Sequence, residues 1–210
     1  MRPDVAALSA ALGQSVSRET VERLDEYGAL LVRWNQHVNL VARSTLPDLW
    51  RRHIVDSAQL YMHAPKHAKS WVDIGAGAGL PGLVIACVAK ELNADLKVML
   101  IESDARKCAF LSEASRRLSL SVRILNARIE EAPPQSAAVV TARALAPLSQ
   151  LLPLVARHMA PDGVALLPKG RSYRQEVDAA LVSWSFSYEI HPSRTSQDSV
   201  ILKLESPSRV

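Results

Sequence analysis

Asp73, Gly75, Gly77 and Gly79, in the stretch SWVDIGAGAGLPG, are by type and spacing the residues of this chain best suited to hold a ligand. An acid-bearing apolar run stops, three glycines alternate, and a proline opens another apolar run. Glycine permits positive φ and lets backbone N–H groups approach a bound group, as a strand–turn–helix ligand loop requires. Two registers overlap. Gly75, Gly77 and Gly79 read GxGxG; Gly77, Gly79 and Gly82 read GxGxxG, the dinucleotide pattern. In a dinucleotide fold the first glycine directly follows the strand, and here that glycine is Gly75. Counted from Gly75, Leu80 stands where the third dinucleotide glycine belongs. Pro81 suits a first helical turn, so Gly82 falls inside the helix, where it serves packing. Asp73 points the same way. A carboxylate at a strand end repels a pyrophosphate, but suits a ligand with a positive amino group or a network that orders the loop. The loop is therefore expected to bind S-adenosyl-L-methionine rather than a dinucleotide.

Glu102 closes the next apolar run, KVMLIE, where an acid can accept hydrogen bonds from the two hydroxyls of a ribose. NAD sites share that device, so Glu102 indicates an adenosine nucleoside without separating the two cofactors. The two cysteines, Cys87 and Cys108, form no CxxC pair, and the six histidines show no HExxH. No metal is expected, and a reduced, cytoplasmic setting is.

These residues need elements to position them. Residues 1–66 read as helices. Ser17 is a candidate N-cap, with Val21, Leu24, Gly28, Leu31 and Asn35 at helical spacing after it and Tyr27 and Trp34 beside them. A further helix is expected to start at a capping box on Thr45 and Asp48, carry Trp50, Ile54, Ser57 and Tyr61 on one face, and stop at Pro65. The pattern changes at Ser70. WVDI, KVMLIE, SVRIL, AAVVTA and GVALLP read as strands, alternating with helices over 81–91, 104–118, 147–159 and 173–182. SFSYEI and SVILKL follow one another without a helix and can pair as an antiparallel hairpin. The expected fold is α/β: a Rossmann-like, class I methyltransferase sheet of seven mostly parallel strands with an antiparallel C-terminal hairpin, in residues 67–210, plus an N-terminal helical cap. The cap could act as a lid over the cofactor edge.

The 210 residues, 48% apolar and 22% charged, suffice for this domain and its extension. Net charge is +4 and the pI about 9.3, which permits a polyanionic partner without requiring one. The Ala-rich start, broken by Pro3 and Asp4, is neither a good signal peptide nor a membrane span.

Several stretches together resemble the bacterial small-subunit ribosomal RNA 7-methylguanine methyltransferase family, also called glucose-inhibited division protein B. NLVARS, RRHIVDS, VDIGAGAGLPG, LIESDARKCAFL, NARIEE, TARALAPL and LLPKG occur in the family's order and spacing, from about Asn39 to Lys203. The resemblance implies transfer of methyl from S-adenosylmethionine to N7 of a guanine in 16S rRNA; a monomer is expected. It implies that Gly75, Gly77, Gly79 and Leu80 line the methionine and sugar side of the cofactor, that Glu102 holds the ribose, and that Ile129 and Glu130 flank the adenine. Arg143 would lie near the cofactor and the RNA entrance. Three departures stand out. Ala78 replaces a common proline, Glu102 replaces a common aspartate, and SRTSQDSVILKLE lacks an arginine just before the last strand, which Arg194 could replace.

Guanine N7 carries an in-plane lone pair and needs no general base, so the absence of a Ser-His-Asp or Cys-His set is no objection. No catalytic residue is assigned except that Arg143 is a candidate. Arg52, His53, Arg143 and Lys169 are the expected RNA contacts, with Arg51 and Arg171 as further basic candidates. His53 and Asp56, three apart on one helix, can instead form a polar pair tying the cap to the sheet. A small-molecule methyltransferase and a non-catalytic nucleoside- or RNA-binding module are the alternatives. The charged RRH and PKGRSYR stretches speak against the first, and the retained Asp73, glycines and Glu102 against the second.

Overall fold

Alternating strands and helices from Ser70 onward close into a single seven-stranded sheet in the computed structural model, which describes residues 4–210. Strands β1 (Ser70–Ile74), β2 (Lys97–Glu102), β3 (Val122–Asn126), β4 (Ala137–Thr141) and β5 (Met159–Lys169) pair in parallel. Strands β6 (Trp184–Pro192) and β7 (Val200–Arg209) form the expected hairpin. β7 sits between β5 and β6, antiparallel to both, giving the order β3-β2-β1-β4-β5-β7-β6. β1 is buried almost throughout because helices cover both sheet faces, which is why it reads as a continuous apolar run rather than an alternating one.

Helices α4 (Gly82–Leu92) and α5 (Ala105–Arg117) lie on one face of the sheet, and α6 (Leu148–His158) and α7 (Tyr173–Leu181) on the other. α4 is buried from Gly82 to Ala89 without interruption. A helix apolar all round needs cover on its outer side as well as against the sheet. The N-terminal segment supplies it. Helices α1 (Val5–Leu12) and α2 (Arg18–Trp34) join the short α3 (Asp56–Ala58) and its flanking turns in one continuous core with the sheet face. Leu24, Tyr27 and Ile54 belong to the same cluster as Trp71, Leu83 and Phe110. The cap thus forms a third layer that shares its core with the sheet.

Ser17 caps α2 as expected, its Oγ accepting from the Thr20 N–H at 3.3 Å. Glu91 of α4 accepts from the Ser17 N–H and from the Ser17 and Thr20 hydroxyls, placing a carboxylate at the positive end of α2. The single helix expected from Thr45 to Pro65 is instead a broken one. A 3-10 stretch (Arg43–Asp48), a π-helical turn (Trp50–Val55), α3 and a second 3-10 stretch (Gln59–His63) follow one another. Thr45 is no capping residue. Its hydroxyl donates to the Ala42 carbonyl at 2.6 Å, and Pro47 deprives the first turn of an N–H. The widened π turn buries Trp50, His53, Ile54 and Val55 together.

Candidate functional site

The sheet register builds the floor of the site. Asp73 on β1 lies level with Thr141 on β4. The Thr141 hydroxyl donates to Asp73 Oδ1 at 2.8 Å, and Trp71 Nε1–H donates to the same hydroxyl oxygen at 3.0 Å. Asp73 Oδ2 accepts from the Gly82 N–H at 2.9 Å, at the first turn of α4. Both carboxylate oxygens thus serve a buried network that ties the strand end to the helix start. Burial pushes the Asp73 carboxyl up to about 7, against the pull of these hydrogen bonds. Of the two roles open to Asp73 from sequence, the structure builds the loop-ordering one. Asp73 is 1% exposed and does not line the cavity above it, so its expected place among direct cofactor contacts is corrected. Gly82 serves packing as expected, since a Cβ there would stand 2.2 Å from Leu100 and 2.9 Å from Asp73 Oδ2.

Above this floor lies a cavity of about 470 Å³, on the edge where the parallel strands end. Gly75, Gly77, Leu80, Glu102, Ile129, Glu130 and Arg143 all line it, which brings together seven of the expected contacts. Gly77 has φ +55° and its N–H donates to Glu102 Oε2 at 2.8 Å. The other Glu102 oxygen accepts from the Asp104 N–H at 2.8 Å. Each oxygen retains a lone pair, so Glu102 can orient the loop and still accept a ribose hydroxyl. Gly79 does not line the cavity. Its backbone, at φ +81°, packs over Leu83, which a Cβ would approach to 2.6 Å. Gly79 therefore shapes the loop from behind the cavity wall.

Three supports of the cavity escape the sequence reading. Tyr27 of the cap donates its hydroxyl to the Ala78 carbonyl at 2.6 Å, pinning the glycine loop from behind. A tyrosine on the buried stripe of α2 is the available signal, because a buried phenol needs an acceptor. His158, 0% exposed, bonds through Nε2 to the Ile129 carbonyl at 3.0 Å, and Arg157 donates to the Ala132 carbonyl. The end of α6 thus holds the wall that carries Ile129. Glu130 itself is exposed and pairs with Arg128, so its contribution to the wall is its backbone. Leu145, Gln150, Leu154 and Lys107 also line the cavity.

Arg143, on the loop after β4, joins the cavity to the cap. Its Nη2 donates to His53 Nδ1 at 3.1 Å, and Nη1 reaches Asp56 Oδ2 and the Arg52 carbonyl, both at 3.5 Å. With Nδ1 accepting, His53 carries its proton on Nε2 and donates to Thr45 Oγ at 2.7 Å. Burial, then the Arg143 and Arg52 charges, lower the His53 pKa to about 4, so the ring is neutral near pH 7 and remains an acceptor. His53 and Asp56 are therefore the polar tie between cap and sheet, and the knot they make is centred on Arg143. His53 is buried and committed on both nitrogens, so its expected contact with RNA is corrected. Asp56 extends the knot. It accepts from the Thr195 hydroxyl and from Gln59, whose amide also binds Ser193 and the Arg194 N–H.

Lys169 is corrected too. Its ammonium donates to Glu176 Oε2 at 2.8 Å and to the Ala146 carbonyl at 3.2 Å, with only 9% of the side chain exposed. Glu176 in turn accepts from the Leu148 N–H. The pair fixes the Arg143-bearing loop to α7 instead of presenting a free cation. Arg52 is exposed and lines a separate cavity with Arg51 and Asp56.

The family model described as GidB, rRNA small subunit methyltransferase G, matches residues 20–201. The chain belongs to the rRNA small subunit methyltransferase G family. A family member from Cereibacter sphaeroides, named ribosomal RNA small subunit methyltransferase G, is 47% identical over 196 residues, covering 93% of this chain and 94% of the relative. One of the same name from Ruegeria pomeroyi is 41% identical over 210 residues, the whole of both chains. Solved structures share the fold at low identity. A TehB-like SAM-dependent methyltransferase from Corynebacterium glutamicum gives a TM-score of 0.57 at 13% identity, over 87% of this chain and 99% of that one. A SAM-dependent methyltransferase from Aquifex aeolicus gives 0.57 at 14%, over 75% and 93%. In the rRNA small subunit methyltransferase G family the fold expected from sequence, with its antiparallel hairpin, is thus the class I methyltransferase fold. The donor set suits S-adenosylmethionine: an apolar wall at Ile129, a carboxylate with spare acceptor capacity at Glu102, and open space at Gly77, where an added Cβ would meet nothing nearer than 3.8 Å.

Proposed function

We propose that this protein transfers the methyl group of S-adenosylmethionine to N7 of a guanine in 16S rRNA. The Arg143 knot carries the reading. A cationic loop end, fixed by His53, Asp56 and the Arg52 carbonyl, stands at the mouth of a nucleoside-sized cavity in a chain of the rRNA small subunit methyltransferase G family. Bound S-adenosylmethionine supplies an electrophilic methyl on its sulfonium. Glu102 would hold the ribose, Ile129 and the Glu130 backbone would hold the adenine, and the Gly75–Leu80 loop would surround the amino-acid end. Guanine N7 attacks with its own lone pair, so no side chain has to remove a proton. The protein's work is alignment of the two reactants and exclusion of water. Arg143 acts on the RNA side of the cavity, and Asp56 offsets its charge so that the purine, which becomes positive as it attacks, is not opposed by a bare cation.

The reading extends to a monomer acting in the cytoplasm. Among the described residues no helix is long and apolar enough to cross a membrane. The test is to incubate the protein with methyl-labelled S-adenosylmethionine and either naked 16S rRNA or small ribosomal subunits, and then to map the label. Label on guanine N7 is expected; its absence from rRNA would overturn the assignment. Arg143→Ala should lower kcat/KM for RNA about 10- to 100-fold, the worth of a charged hydrogen bond. Cofactor affinity should change by less than about threefold, because Arg143 makes none of the ribose or adenine contacts proposed here.

A further inference from the structure

Beside the cofactor cavity, on the far side of Arg143, lies a second cavity of about 390 Å³ between the π-helical turn and the β6–β7 connection. Asp48, Arg51 and Arg52 line one wall, and Thr195, Ser196 and Ser199 the other. The pairing of Lys169 with Val200 puts this connection at the same sheet edge as the cofactor cavity. The two cavities meet at the knot. Arg143 lines the first, and its partners Asp56 and Arg52 line the second.

We propose that this second cavity binds the sugar–phosphate backbone of a ribonucleotide next to the methylated guanine. The inference rests on the rRNA reading above and assigns a place on the protein to the flanking strand. Arg51 and Arg52 are exposed, and among the described residues neither makes an ion pair, so both forks are available to phosphate oxygens. Their backbone is anchored by Trp50 and Ile54, buried on either side of them. The opposite wall is equally fixed. Gln59 and Asp56 hold Ser193, Arg194 and Thr195, and the Ser199 hydroxyl donates to Ser196 Oγ at 3.2 Å. Three acids stand at or beside this cavity. Asp56 is already committed to Arg143, Gln59 and Thr195, and Asp198 beside this wall is paired with Arg171 at 2.6 Å. Asp48 has no such partner among the described residues. A free carboxylate opposes an inorganic anion, but it accepts from a hydroxyl. Two guanidiniums, hydroxyls and one free carboxylate together match a phosphate joined to a ribose, with Asp48 on the 2′-hydroxyl.

The test uses the full chain, saturating S-adenosylmethionine and a 16S rRNA fragment that the wild type methylates. That wild-type arm is read first: no methylation there brings down the functional reading itself. Given methylation, Arg51→Gln and Arg52→Gln should each raise KM for RNA about tenfold. Each should also flatten the plot of log affinity against log salt by roughly 0.7, the counterion share of one single-strand phosphate contact. Cofactor Kd should remain within about twofold, which shows that the variants are folded. An unchanged KM and salt slope in the double variant would eliminate the subsite. Single 2′-deoxy substitutions placed in turn around the target guanine should reveal one position that weakens binding to the wild type and not to Asp48→Asn. Equal sensitivity in both proteins would remove Asp48 from the site.

Discussion

Asp73 and Lys169 are both charged residues at strand ends, and both turn inward to hold loops. The position of Asp73 follows from the strand pattern, but its partners do not, because the Thr141 hydroxyl reaches it only through the β1–β4 register. Its buried carboxyl is raised to about 7. Stability drawn from the neutral form is complete below the ordinary carboxylate pKa of about 3.9 and is lost as pH climbs through about 7. Asp73→Asn keeps both contacts, since its amide accepts from Gly82 and donates to Thr141. The variant should therefore gain in melting temperature relative to the wild type between about pH 4 and about pH 7. Parallel profiles for the two proteins would refute the raised pKa. Lys169 illustrates the opposite difficulty. A free and a paired lysine read alike, and Glu176 meets it only because α7 folds back from the end of β5. Lys169→Gln should cost about 1–2 kcal/mol in chemical denaturation, as expected for a largely buried pair, and leave KM for RNA within about twofold. A large KM effect without loss of stability would restore Lys169 as an RNA contact. Glu102, by contrast, stands where the strand pattern alone places it, at the end of β2 on the cavity wall.

The elements that were legible are those with one dominant period. α2, α4, α5, α6 and α7 lie within a residue or so of their expected spans, as do the five parallel strands except β5, which starts earlier. The stretch from Arg43 to His63 misled because its apolar spacing was helical while its hydrogen bonding is not uniform. Thr45, expected to cap a helix, serves His53 instead, and nothing local to RSTLPD distinguishes the two uses. The tie from α2 to the glycine loop is likewise invisible in one dimension. Tyr27→Phe removes it with almost no change in volume and strands the buried Ala78 carbonyl. A loss of about 1–3 kcal/mol is expected by denaturant titration, together with a several-fold rise in cofactor Kd by calorimetry. A stable variant with unchanged Kd would show that the loop holds its shape unaided.

At the scale of the whole molecule, the switch at Ser70 marks a change of periodicity and not a change of core. Residues 1–66 read as an extension because their pattern is helical. Yet Leu24, Tyr27 and Ile54 share a cluster with Trp71 and Leu83, a long-range fact that no window of sequence contains. Removing residues 1–66 would bare the outer side of α4, which is apolar on every side. The truncated chain should show no cooperative melting transition and should bind hydrophobic dyes. A cooperatively folded truncation would establish the sheet as an independent domain. The strand order carries a further consequence for birth of the protein. β6 leaves the ribosome before β7, yet its sole partner in the sheet is β7, and β5 waits for the same strand. Until β7 emerges, two strand edges stay open at once, and Phe186, Tyr188 and Ile190 travel on one of them. The chain is therefore sticky until residues 200–209 dock between β5 and β6, and a change that slows this docking prolongs the exposure.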